Sequence, residues 1–246
     1  MRRTKIVATL GPACDPPEEL EQVIVNGLDV ARVNFSHGRP EDHASRVRKL
    51  RELSDRHQRQ VAVLADLQGP KIRIDRFRDG PVTLKDGDEF ALDTNLAPDA
   101  GDQHQVGVSY KNLAKDVGAG DIMLLDDGNL TMQVQKVEGG RIVCRVINGG
   151  ALSDNKGLNR QGGGISAEAL TEKDLDDIRF AVELEADFIA VSFVRDASEI
   201  ERARELVKQA GGHGHIIAKI ERAEAIDNVD EIIQASDGVM VARGDL

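Results

Sequence analysis

A short aliphatic run followed by an amphipathic helical stretch recurs along this chain, and that recurrence limits the folds open to it more than any other feature. Six such runs start at Lys5, Val30, Val61, Phe188, Ile216 and Val239. Each is too short for a helix and is bounded by polar or turn residues, so each reads as a buried strand. Strands alternating with helices make βαβ units with parallel strands, which place functional residues at the strands' carboxyl ends. Two architectures satisfy the repeat, a (β/α)8 barrel and a doubly wound sheet. A doubly wound nucleotide fold calls for a glycine-rich turn after its first strand, and Gly11-Pro12-Ala13 is not that signature. The expectation is therefore an α/β chain forming an incomplete TIM (β/α)8 barrel with six strand units, spread over residues 1–70 and 168–246.

The intervening residues 71–167 have a different texture. Short alternating runs are separated by turn pairs such as Asp86-Gly87, Asp127-Gly128 and Gly139-Gly140. Strands are expected at Val82–Leu84, Glu89–Leu92, Ile122–Leu125, Leu130–Val137 and Arg141–Val146, forming a small all-β barrel inserted in the larger one. Gly162-Gly163-Gly164 marks its exit as a hinge. Helix starts are expected at Asp15, with Pro16 and Glu18 completing a cap, at Pro40, at Thr171 with Asp174, and at Asp196 with Glu199. A last helix is expected across Ala225, Val229, Ile232 and Ile233.

Composition narrows the function classes. The net charge of −11 disfavours nucleic acid and acidic membranes, and 3% aromatic residues with no Trp leave no base-stacking platform. Two isolated cysteines, Cys14 and Cys144, fit a reducing compartment and neither a disulfide framework nor a zinc site. Without a signal peptide or an apolar run long enough to span a bilayer, a soluble cytoplasmic protein is expected.

The chemistry collects at strand ends. Lys219 and Glu221 are two apart and share a face, and the next strand runs into Arg243-Gly244-Asp245. One lysine and two carboxylates on one rim suit Mg²⁺ and the stabilisation of negative charge on a substrate, or they mark two polar strand ends and an ion pair. Arg32, Asn34 and Ser36 also share a face: a guanidinium for phosphate oxygens beside hard oxygen donors, or a polar strand end with a capped turn. Asp66-Leu67-Gln68-Gly69-Pro70-Lys71-Ile72-Arg73 is a turn that brings backbone close to a ligand with two cations beyond it, or a joint between domains. Lys156 is an ordinary loop lysine on spacing alone.

Together, Lys5–Pro12, Arg32–Gly38, Asp66–Arg73, Asn155–Gly157, Leu170–Asp174, Val191–Phe193, Ala218–Arg222 and Met240–Leu246 resemble the pyruvate kinase family in order and spacing, over the whole chain. Leu67-Gln68 and the triple glycine are similar to a bacterial subgroup. The resemblance implies Mg²⁺-dependent (or Mn²⁺-dependent) phosphoryl transfer from phosphoenolpyruvate to ADP, giving pyruvate and ATP. By motif position it implies that Lys219 stabilises the transferring phosphoryl and that Arg32 holds the phosphate. Glu221 and Asp245 hold the divalent ion, and the Gly244 N–H meets the substrate carboxylate. Asn34, Phe35, Ser36, His37, Arg73 and Lys156 face the nucleotide. Asn34, Ser36, Asp66 and the Leu67 carbonyl match the monovalent-cation site, and the inserted barrel is a lid.

Many family members carry glutamate at the position of Lys71, and its ammonium is expected to weaken any K⁺ requirement. The full-length form is expected to be a homotetramer. Two further barrel units, a C-terminal effector domain and a threonine implicated in enolate protonation belong beyond Leu246. The chain is therefore expected to be a fragment, inactive alone. A Mg²⁺-dependent aldolase or lyase acting on a pyruvate enolate is the competing enzyme, although it has no use for a nucleotide lid. A ligand-binding product without turnover is the non-enzymatic alternative.

Overall fold

The computed structural model describes residues 3–242 of the chain. They divide into two compact units, one built from the segments before and after the insert, the other running from Lys71 to Ala167.

The first unit holds one sheet of six strands, Val7–Thr9, Val30–Asn34, Ala62–Asp66, Phe188–Val191, His215–Ile220 and Gly238–Val241. Every neighbouring pair is parallel, and the strands lie side by side in chain order. A doubly wound sheet must reverse its order at a switch point. This one never reverses, so it is an incomplete (β/α)8 barrel. Ala31, Ala65, Ala190 and Ala218 are fully buried on the strands. Against the sheet pack Leu20 and Ile24 of helix Pro17–Val25, Val47 and Leu50 of Pro40–Arg56, Ile178 and Ala181 of Glu172–Glu183, and Ala203 and Val207 of Ala197–Gln209. These pairs are three or four residues apart, the spacing of a one-sided helix.

Three helix ends differ from expectation. Pro17, not Pro16, opens the first helix, because a residue preceding proline is driven out of the helical region and Pro16 is extended (ψ 130°). Asp15, freed from capping, pairs with Arg46 at 2.6 and 2.9 Å. After the fourth strand, Asp196 caps the helix Ala197–Gln209 alone through the N–H groups of Ser198 and Glu199, while the Glu199 carboxylate takes Arg195 at 2.7 Å. The last expected helix is two, Ala223–Asp227 and Val229–Ala235, parted at Asn228, whose amide donates to the Arg195 carbonyl at 2.9 Å. The Thr171–Asp174 capping box forms as expected.

The inserted unit is β-rich with one helical turn, Leu113–Asp116. Its main sheet runs in the order Leu158–Arg160, Ile122–Leu125, Leu130–Glu138, Arg141–Asn148, Glu89–Asp93, Gln105–Gly107. Val82–Leu84 pairs separately with Gly150–Leu152. The chain entering at Ile72–Asp75 joins the two edges of the main sheet. Ile74 N–H donates to the Lys156 carbonyl and Leu158 N–H to the Ile72 carbonyl, both at 2.9 Å. On the other side Asp75 N–H reaches the Gly107 carbonyl at 2.8 Å and Ser109 N–H the Arg73 carbonyl at 3.0 Å. The sheet is thereby closed into a small barrel, leaving those edges no open ladder. Its core is aliphatic around Phe90, with Met123, Leu125 and Leu130 among its fully buried side chains. The strands at Gln105, Gly150 and Leu158, each of three residues, were not among those expected from the sequence.

Among the described residues no helix is long and apolar enough to cross a membrane. Both cysteines are free.

Candidate active site

Where pairing in the six-stranded sheet ends, the first five strands deliver polar residues to one rim: Thr9, Arg32, Asp66, Ser192, and Lys219 with Glu221. Lys219 and Glu221 do share a face, with Nζ 3.0 Å from Glu221 Oε1. The Lys219 ammonium also lies 3.1 Å from Asp66 Oδ1 and donates to Ser192 Oγ at 2.7 Å. Three oxygens from three strand ends thus surround one cation. Asp66, Ser192 and Glu221 are at most 2% exposed and Lys219 is 8% exposed. A charge so deep is tolerated only when paired and hydrogen-bonded.

Second-layer contacts fix each of these groups. Glu221 Oε2 accepts the Phe193 N–H at 2.9 Å, and Ser192 Oγ donates to the Leu67 carbonyl at 2.7 Å. Asp66 Oδ2 takes the Arg32 guanidinium at 2.5 and 2.7 Å, while Arg32 also donates to Thr9 Oγ1 at 2.7 Å. Asp66 Oδ1 faces Lys219 outside hydrogen-bond geometry, which leaves a buried lone pair uncommitted. Two cations oppose two carboxylates, so this part of the rim is formally neutral.

The segment after the second strand is held from several sides. Asn34 Oδ1 accepts the Ser36 N–H at 3.0 Å, and Phe35 N–H extends the ladder to the Asp66 carbonyl at 3.0 Å. Lys173 donates to the Phe35 carbonyl at 3.0 Å. His43 Nε2–H donates to the His37 carbonyl at 2.8 Å, which leaves Nδ1 bare and buried. Burial lowers the His43 pKa and keeps the ring neutral. Gly69, at φ +65°, donates its N–H to Asp174 Oδ1 at 3.0 Å, so the capping carboxylate of helix Glu172–Glu183 also pins the turn after the third strand.

The inserted unit carries Arg73 and Lys156. Arg73 donates to the Asn155 carbonyl at 2.9 Å, and Lys156 Nζ sits 2.7 Å from Asp126 Oδ1. That contact lowers the Asp126 pKa. Asp126, Asp127 and Asn155 all hold positive φ, a conformation L residues seldom adopt outside turns. Lys71 lies in the same unit, beside Gly157.

A family model described as "Pyruvate kinase, barrel domain" matches residues 1–246. The chain belongs to the pyruvate kinase family. It is 53% identical to pyruvate kinase II of Salmonella typhimurium, over all of this chain and 52% of that protein. To the pyruvate kinase of Haemophilus influenzae it is 50% identical, and to that of Mycobacterium intracellulare 44%, again over the whole chain and 52% of each relative. The chain spans about half the length of the curated relatives it matches.

Of the residues that the pyruvate kinase resemblance singles out, the first unit brings Arg32, Asp66, Lys219 and Glu221 into one connected set, with the Leu67 carbonyl attached through Ser192. Asn34, Phe35, Ser36 and His37 follow Arg32 directly. Arg73 and Lys156 belong to the other unit. Gly244 and Asp245 lie outside the described residues, and among the described residues no three His, Cys, Asp or Glu side chains group as a metal site. Thr9, Ser192 and Phe193 are contributors to which no role was assigned from sequence, and Asp174, read there as a helix cap, also holds the Gly69 turn. Their signal was position: Thr9 and Ser192 sit at or just beyond a strand's carboxyl end, inside stretches that match the family.

Proposed function

We propose that this chain supplies the phosphoenolpyruvate site and the nucleotide-facing insert of a Mg²⁺-dependent pyruvate kinase, which transfers a phosphoryl group from phosphoenolpyruvate to ADP. The observation that carries this reading is the buried Lys219 ammonium held among Asp66, Ser192 and Glu221 at the strand ends.

Phosphoryl transfer asks for positioned positive charge more than for covalent chemistry. Lys219 is fixed before substrate arrives, so it pays no reorganisation when charge develops on the transferring group. Arg32, anchored on Asp66 and Thr9 and 27% exposed at its side chain, presents the rest of its guanidinium to a phosphate. The formally neutral rim needs further positive charge to hold a substrate bearing both phosphate and carboxylate. Its all-oxygen donors fit a hard divalent cation, with Glu221 able to spare lone pairs beyond the Phe193 N–H and Asp245 as the second carboxylate. When bound, Mg²⁺ or Mn²⁺ supplies positive charge to the substrate's carboxylate and enolate oxygens. The Gly244 N–H would meet that carboxylate.

Asn34, Ser36, Asp66 and the Leu67 carbonyl are suited to a monovalent cation, and the uncommitted lone pair of Asp66 Oδ1 favours one there. The ammonium of Lys71, in place of the glutamate of many relatives, makes K⁺ weakly required. Arg73, Lys156 and the Asn34–His37 segment would bind ADP or ATP, with the inserted barrel as the excluding lid. A cytoplasmic homotetramer follows from the same family reading.

The test is pyruvate formation by the protein isolated from its own cells, measured through coupled NADH oxidation. Turnover that needs phosphoenolpyruvate, ADP and Mg²⁺ together supports the proposal. Pyruvate release from a substrate without ADP sinks it in favour of a lyase. Activity that persists without K⁺ supports the role given to Lys71, and a large K⁺ activation refutes that part alone.

A further inference from the structure

We propose that Ser192, with the Phe193 peptide behind it, is the positioning element that aims Lys219 and Glu221; the inference rests on the function proposed above. The strand Phe188–Val191 pairs on one side with Ala62–Asp66 and on the other with His215–Ile220. Its last residues therefore lie between the turn that contains Leu67 and the strand end that bears Lys219 and Glu221.

The direction of the hydrogen bonds is fixed by elementary inventory. A carbonyl only accepts, so the one hydroxyl proton of Ser192 goes to the Leu67 carbonyl at 2.7 Å. Toward Lys219 the same oxygen then only accepts, and the ammonium donates to it at 2.7 Å. One N–H of Lys219 is thereby fixed in direction by a neutral group tied to the backbone of a neighbouring strand. Asp66 and Glu221 supply charge at 3.0–3.1 Å, and the Asp66 contact lacks hydrogen-bond geometry. Charge attracts without aiming. The hydroxyl aims.

The next residue completes the bracket. Phe193 holds φ +58° and turns its N–H to Glu221 Oε2 at 2.9 Å, with the Arg222 guanidinium 5.8 Å from its ring centroid. A buried aromatic residue in the left-handed region is uncommon and signals a backbone held by its surroundings. Gly69 lies against both residues. A Cβ there would stand 2.8 Å from Ser192 Cβ and 2.9 Å from the Phe193 ring, so the glycine is what lets the two turns close on each other. Neither Ser192 nor Phe193 needs to touch substrate for this purpose. They hold the groups that do.

The experiment compares wild type with Ser192→Ala, Ser192→Thr and Ser192→Cys in the protein in its native form. Steady-state kinetics is combined with the rate at which an amine reagent modifies Lys219, read by peptide mass spectrometry without substrates. The Ala variant should lose roughly tenfold or more in kcat with KM for ADP unchanged, as expected when an aimed group is loosened. Thr, which keeps the hydroxyl, should recover most of the loss. Lys219 should be modified severalfold faster in the Ala variant. Cys keeps the shape and offers only a weak acceptor, so it reports even if Ala fails to fold. Wild-type kcat in either the Ala or the Cys variant, with Lys219 modified at the wild-type rate, overturns the proposal. Wild type without pyruvate kinase turnover refutes the function on which it rests, while the Lys219 modification rates still decide whether Ser192 positions the lysine.

Discussion

The two units hold their key lysines in opposite ways. Lys219 is buried among oxygens from three strand ends, and its partners are themselves fixed by the Phe193 N–H, the Leu67 carbonyl and Arg32. Lys156 has a side chain 36% exposed and pairs with one carboxylate, Asp126, on a stretch of turn residues in the left-handed region. The first arrangement is preorganised and resists change. The second is a surface pair that a competing anion can displace at small cost, since exposed ion pairs are worth about 0–1 kcal/mol. Fixed, buried charge is built into the parallel sheet; exposed and exchangeable charge is left on the inserted barrel.

The largest effect that would sharpen this contrast is Lys219→Met. Turnover should fall by about 10³, and stability by about 3 kcal/mol because Glu221 and Asp66 lose a buried counter-ion. Coupled assay and urea unfolding measure the two, and a variant retaining a tenth of its activity would break the comparison. Gly69→Ala comes next. Its new methyl meets Ser192 and Phe193 at under 3 Å in a backbone of φ +65°, so a loss of about 2 kcal/mol is expected in the melting curve. An unchanged melting temperature would mean the rim yields as readily as the insert.

Asp126→Asn should act far more gently, shifting KM for ADP by no more than about threefold with kcat unchanged. Its pH dependence has a definite sign. Lys156 holds the Asp126 carboxyl below the ordinary 3.8, so the pair's contribution is complete above that value and is lost as pH falls through the lowered one. A titration of ADP affinity from pH 8 to pH 5 should therefore show no step from this pair. The smallest signal is a labelling pattern. Burial pushes the Cys144 thiol up to about 12, so iodoacetamide at pH 8 should modify the half-buried Cys14 and leave Cys144 untouched. Fast labelling of Cys144 would show that the inserted core opens more readily than its packing implies.

How much of this was legible from sequence follows from what each element depends on. The six parallel strands and most helices were readable because apolar spacing and proline positions are local. The pairing of Lys219 with Glu221 was readable because period 2 is enforced by the strand. Pro16 misled because its effect is set by the proline after it, and the final helix because its break depends on Asn228 reaching the Arg195 carbonyl. Asp66 was assigned to a cation site, and its buried contacts with both Arg32 and Lys219 were not anticipated. Ser192 had no local signature at all. A serine after a strand becomes meaningful only when the turn from Leu67 and the strand with Lys219 arrive beside it, and those lie 125 and 27 residues away.

The seam that closes the inserted barrel has a consequence for how such a chain is assembled. Its entry segment, Ile72–Asp75, is hydrogen-bonded to Lys156–Leu158, at the start of the last strand of the inserted unit. The inserted unit is therefore tied to itself near the start of its own chain, whatever the length of chain in between. The entropy of closing a loop grows only slowly with length in any case, and here the module's own fold closes it. The β-rich unit thus carries its own closure in hydrogen bonds between its own strands, independent of the parallel ladder of the sheet into whose chain it is inserted.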